Sequence, residues 1–258
     1  MSLIYERLCE HLHSLKMETS LSHLDAILEE GTRQKQPSIE VLEKLLALEV
    51  QSRFQKRVEV NICFSGLPMK KCLEDFDFKA QPAVPEQTFA ELATLRFLAH
   101  GENVILIGPC GVGKTHLAIG LALKALSRGH RVNFLTLHQL VSKVAKAHER
   151  HLLDKLLSHL LRPDLLILDE VGFLPLKAAE ANFLFELVNS RYTRGKSMIV
   201  TSNKTFGQWD EMFPEKLLVV AILDRLLHHG HALHIPGESY RLKHRKEAGL
   251  LSENRKEV

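Results

Sequence analysis

Eight consecutive residues, Gly108-Pro109-Cys110-Gly111-Val112-Gly113-Lys114-Thr115, set three glycines ahead of a lysine and a hydroxyl. Without a Cβ, glycine lets backbone amides converge on phosphate oxygens in conformations that other residues avoid. Lys114 can then neutralise β and γ phosphates, and the Thr115 hydroxyl can ligate the Mg2+ that bridges them. The apolar run Val104-Ile105-Leu106-Ile107 enters this segment, and a helical pattern from His116 to Ser127 leaves it. A helix starting there adds the positive end of its dipole to the phosphate cradle. The spacing predicts a nucleoside triphosphate site with Mg2+, built from Gly108 through His116.

A second apolar run, Leu165-Leu166-Ile167-Leu168, ends in Asp169-Glu170. An acid pair at a strand end is suited to hydrolysis, Asp169 holding the metal shell and Glu170 acting as general base toward water. Asp169-Glu170-Val171-Gly172 also contains the Asp-x-x-Gly spacing of switch GTPases, but no Asn-Lys-x-Asp guanine reader accompanies it. A third run, Met198-Ile199-Val200, ends in Thr201-Ser202-Asn203. Asn203, or alternatively Thr201, is placed to hydrogen-bond the water or the γ phosphate. Arg225, on an amphipathic stretch, and Arg241, after the last apolar run, are either surface ion-pair members or charges that meet the phosphates. Arg225 would do so in a neighbouring subunit and Arg241 in its own.

These groups need a scaffold, and the chain supplies one. Strand candidates at 104–107, 131–136, 165–169, 197–202 and 231–235 alternate with helical patterns at 114–127, 138–161, 178–194 and 215–229. Such alternation predicts an α/β fold, a five-stranded parallel sheet between helices. The stretch 138–161 reads as two helices, 138–147 and 149–161, where one crossover would suffice. Upstream, apolar residues at three-and-four spacing predict helices over 2–29 and 39–60, with Gly31 at a helix end and Ser38 as an N-cap after Pro37. Prolines 68, 82 and 85 mark a linker. The division is therefore a small all-α module, 1–64, and a nucleotide-binding domain, 65–258.

Composition sets the class. At 258 residues and 45% hydrophobic content, the chain can bury one substantial core and a small appendage. Cys9, Cys63, Cys72 and Cys110 show neither C-x-x-C spacing nor a disulfide framework. No apolar run approaches the roughly 20 residues of a membrane span, and the start is charged too early for a secretory signal, so a soluble, cytoplasmic protein is expected. His231 and His234 would face opposite sides of a strand, which argues against a metal site with His228 and His229. A net charge of +3 permits contact with a polyanion without requiring it. Arg53, Lys56 and Arg57 share one helical face, Lys143, Lys146 and Arg150 another, and Lys70-Lys71 lies in the linker. Each group reads as a phosphate contact or as a solvated helix face.

Segments 108–118, 165–176, 201–203, 224–229 and Gly237-Glu238-Ser239-Tyr240-Arg241, with Phe64-Ser65-Gly66-Leu67-Pro68 and Leu73–Phe78 upstream, closely resemble the IstB-like ATP-binding proteins. These are transposition helpers of insertion sequences, related to DnaC-type helicase loaders in the AAA+ class. The resemblance covers almost the whole chain. It implies an AAA+ ATPase that assembles as a homo-oligomer on double-stranded DNA with ATP and Mg2+, deforms the duplex, and recruits or activates the transposase of the same element. It also implies Asn203 as first sensor, Arg225 as arginine finger, Arg241 as second sensor, and the additional helix after the second strand. Cys110 departs from the proline or small residue usual in the family. The alternative is a loader of a replicative helicase acting on single-stranded DNA, while a metabolic P-loop kinase fits Asp169-Glu170, Asn203 and Arg225 poorly.

Overall fold

The computed structural model describes residues 3–237, 239 and 240, and these form two compact units divided between Val60 and Asn61. In the first unit, α1 (Leu3–Ser14), α2 (Glu18–Gln34) and the start of α3 (Ser38–Phe64) enclose Leu12, Leu24, Ile27 and Leu45. The single helix expected over 2–29 is broken at residues 15–17, where Lys16 takes φ 56°. One straight helix could not bring Leu12 and Leu24 into the same core. Arg53 stabilises the break by donating to the Leu15 and Lys16 carbonyls, at 3.1 and 2.9 Å, which α1 leaves without helical partners. Gly31 does not end α2 as expected; the helix runs to Gln34 and closes on Lys35 in the left-handed region. A Cβ on Gly31 would lie 2.7 Å from Val41 Cγ2, so this glycine permits close approach of α2 and α3.

The linker is more structured than its prolines suggest. It contains a 3₁₀ turn at Leu73–Asp75 and two short helices, α4 (Glu86–Leu92) and α5 (Arg96–His100), that sequence reading passed over. Beyond it come β1 (Asn103–Ile107), α6 (Lys114–Ser127), β2 (Val132–Thr136), α7 (Leu137–Glu149), α8 (Leu153–Leu161) and β3 (Leu165–Val171). After these follow α9 (Ala178–Thr193), β4 (Ser197–Ser202), a 3₁₀ turn at Phe206–Glu211, α10 (Lys216–His228) and β5 (Gly230–His234). The expected strands and helices are present within a few residues, including the paired α7 and α8. Their split falls at Arg150–Leu152, where His151 has φ 53°.

The sheet is parallel, in the order β2-β3-β4-β1-β5. Because strand side chains alternate, Val104 and Leu106 pack with α4, α5 and α6, while Ile105 and Ile107 pack with α7–α10. β1, β3 and β4 are apolar through their middles because both faces are covered, and toward the carboxyl ends β3 carries Asp169 and Glu170 and β4 carries Thr201 and Ser202. One side chain braces the opposite end of the sheet. Arg191 is fully buried and donates to the Leu160, Pro163, Asp164 and Ser197 carbonyls at 2.7–3.2 Å.

Candidate active site

The loop between β1 and α6 carries the predicted phosphate-binding residues. Gly113 has φ 101°, and a Cβ there would lie 2.5 Å from Phe76 Cε2, so both backbone and space demand glycine. The Lys114 ammonium turns back onto the loop, donating to Gly108 O and Pro109 O at 2.7 Å each. Burial pulls its pKa below the usual lysine value, against the opposing pull of Cys110 and Asp169. A buried ammonium whose hydrogen bonds go to neutral carbonyls of its own loop suits a polyphosphate that would offer charged acceptors in their place. Cys110 is exposed beside it.

Thr115 donates to both Asp169 oxygens, at 2.9 and 3.1 Å, and the Thr201 hydroxyl donates to Asp169 Oδ1 at 2.5 Å. Asp169 is therefore a buried carboxylate fixed by hydroxyls from α6 and β4. Glu170, the next residue, is exposed. The separation arises from a bulge: Leu168 pairs with Val200 but Val171 with Ser202, so three steps along β3 match two along β4. Glu170 takes up the extra step at φ 61°, and its amide donates to Thr201 Oγ1 at 3.0 Å. A left-handed Glu at a bulge is strained, and its effect is to turn one acid into the core and the other toward the loop side. Thr201, the alternative to Asn203 at the sequence level, is thus the residue that braces both acids. Asn203 stands just beyond, with its amide oxygen buried and unpartnered. The hydroxyl, carboxylate and ammonium together suit a hydrated divalent cation beside phosphates.

Sequence reasoning missed the far wall. Residues of the linker, Met69, Lys71, Phe76 and Gln81 among them, face Gly111–His116 and Tyr240 across a cleft of about 240 Å3. Phe76 packs edge-on against Phe78 and His116, with centroids at 4.8 and 5.3 Å, and His116 bonds Cys72 O at 2.9 Å. The Tyr240 amide donates to Gly111 O at 3.1 Å. The aromatic residues of Leu73–Phe78 were the available signal, since a purine base needs an apolar wall.

Arg225 is not at this cleft. It lies half-buried on α10, donating from Nε to Asn189 Oδ1 at 2.7 Å with its guanidinium 5.0 Å from the Phe185 ring centroid. Its neighbour Leu226 accepts from Asn103 at the start of β1, so the length of that strand, about 16 Å at roughly 3.3 Å per residue, separates the two ends. Arg241 lies outside the described residues. Two of the four histidines have hydrogen-bond partners nearby: His231 bonds Glu102 at 3.0 Å and His228 bonds the Tyr192 hydroxyl at 2.9 Å. Among the described residues, no helix is long and apolar enough to cross a membrane.

Comparison with known proteins agrees with this geometry. The family profile described as IstB-like ATP binding protein matches residues 10–248. The chain is 45% identical to the ATP-binding protein of insertion sequence IS21 from Pseudomonas aeruginosa, over 94% of this chain and 91% of that one. It is 38% identical to the IS5376 counterpart from Geobacillus stearothermophilus, over 93% and 96%. Among solved structures, AMPPCP-bound DnaA from Aquifex aeolicus superposes with a TM-score of 0.56 at 24% identity, covering 73% of this chain and 59% of that one. DnaI superposes at 0.55 with 19% identity, covering 64% and 91%. The likeness to DnaA and DnaI is one of fold, that of the AAA+ ATPase core, and the sequence relatives lead to one assignment: the chain belongs to the IstB-like ATP-binding protein family.

Proposed function

We propose that this ATPase is the transposition helper of an insertion sequence: bound to ATP it assembles on double-stranded DNA, deforms it, and recruits or activates the transposase of the same element. The names of its relatives support the insertion-sequence context. The observation that carries the chemistry is the division of labour at the bulge, with Asp169 buried beneath two threonine hydroxyls and Glu170 turned out beside it.

In this reading the loop amides and Lys114 take the β and γ phosphates, exchanging the Gly108 and Pro109 carbonyls for phosphate oxygens. Mg2+, when bound, would be held by Thr115 and through Asp169, and it would neutralise charge on the transferring group. Glu170 accepts the proton of the attacking water, and Asn203 offers its amide to that water or to the γ phosphate. Arg225 serves the site of a neighbouring subunit. Its distance from its own loop supports this, as do Leu217 and Val220 of α10, whose surfaces are 77% and 62% exposed. Glu170→Gln is the direct test. ATP should remain bound but unhydrolysed, trapping assemblies on duplex DNA visible by electron microscopy. Wild-type turnover would remove Glu170 from its role, and a variant that never accumulates on duplex would contradict the DNA-dependent assembly.

A further inference from the structure

At the edge of the sheet opposite β5, strand β2, helix α7 and the last residue of α3 line a groove of about 520 Å3. Its ionisable lining residues are Lys143, Lys146, His138 and His159, and no carboxylate is among them. Phe64 also lines it and is 80% exposed, far more than an aromatic of this size normally shows. None of these residues belongs to the ATP cleft.

An edge strand beside a groove invites an added peptide strand, but here the edge is already occupied. The Phe134 amide donates to Ser65 O at 2.7 Å, and the Thr136 amide to Gln139 Oε1 at 3.0 Å. Selection therefore passes to the side chains. Lys143 and Lys146 stand three residues apart on α7, which puts their ammonium groups on one face as successive point charges. A cationic track beside an exposed ring is the combination that holds unpaired nucleic acid, phosphates on the cations and a base on the ring.

We infer that this groove binds one unpaired DNA strand, its phosphates on Lys143 and Lys146 and a base stacked on Phe64. The inference rests on the reading of the chain as a DNA-dependent ATPase and adds to it a surface for a strand released when the duplex is deformed.

Fluorescence anisotropy of the full chain with labelled oligothymidine, and separately with duplex, tests it across a salt series. Lys143→Glu combined with Lys146→Glu should weaken oligothymidine binding at least ~10-fold and flatten the slope of log K against log salt by about 1.4, roughly 0.7 for each phosphate. Phe64→Ala should weaken it by roughly 10-fold with an unchanged slope, as loss of one stacked base would, while leaving duplex affinity intact. Unchanged ATPase activity without DNA shows that both variants fold. Oligothymidine affinity and slope equal to wild type in the double variant overturn the inference while leaving the proposed function standing. So does displacement of oligothymidine by polyglutamate at equal charge, which would make the groove a site for acidic peptides. A Phe64→Ala loss of equal size on duplex overturns the stacking assignment. Wild-type chain that binds neither form of DNA overturns the proposed function as well.

Discussion

The amide oxygen of Asn203 occupies the space beside Gly172 that any larger residue would need: a Cβ on Gly172 would lie 2.3 Å from Asn203 Oδ1. Gly172 also has φ 132°, a conformation that L side chains rarely adopt. Gly172→Ala should therefore displace Asn203 from the acid pair and cost about 1–3 kcal/mol of stability. We expect ATP affinity within a few-fold of wild type and a kcat lowered roughly 100-fold, about 2.7 kcal/mol in barrier. Titration calorimetry paired with steady-state phosphate release checks this, and an undiminished kcat would detach Asn203 from hydrolysis.

Lys114→Ala should abolish measurable ATP binding, a loss of at least ~100-fold. The wild-type pH dependence carries a sign. Only the ammonium form attracts phosphate, and burial lowers the Lys114 pKa, so the charge is lost at a lower pH than for an exposed lysine. Bound phosphates raise the pKa again. Affinity must accordingly fall as pH rises, starting below the ordinary lysine range near ~10.4. An affinity flat across the alkaline range would separate Lys114 from the phosphates.

Arg225→Ala should lower ATPase activity by about 1,000-fold or more if its guanidinium meets transferring phosphate in an adjoining subunit. Mixing it with Lys114→Ala restores a fraction of activity, since mixed assemblies contain sites with both residues intact. Phosphate release measured across mixing ratios should pass through a maximum. A monotonic curve would return Arg225 to its local role with Asn189 and Phe185.

Arg191 should govern stability rather than turnover. Burial drives its pKa down to about 9, opposed by Asp164, yet its fork satisfies four carbonyls at once. Arg191→Lys cannot span them, and each stranded buried acceptor costs about 1–3 kcal/mol. A total of roughly 3 kcal/mol should lower the melting temperature by about 6–12 °C in calorimetry. A shift under a degree would show that water replaces the guanidinium.

Much of the site could be read along the chain because its parts are local: the glycine loop is contiguous, and Asp169-Glu170 and Asn203 each end an apolar run. The remainder depends on pairing between distant segments. The bulge that parts Asp169 from Glu170 exists only in the register between β3 and β4, and the bracing by Thr201 follows from that register. The helices α4 and α5, seven and five residues long, are too short for periodicity to announce and are held by burying Phe89, Leu92 and Phe97. The interruption at Lys16 was equally hidden, because apolar spacing continues through it while the chain reverses.

Phe76 closes the cleft from a segment that precedes the sheet, so the wall facing the glycine loop is not built by the nucleotide-binding core alone. A chain shortened to begin at Glu86 would retain every phosphate ligand described yet hold its nucleotide loosely.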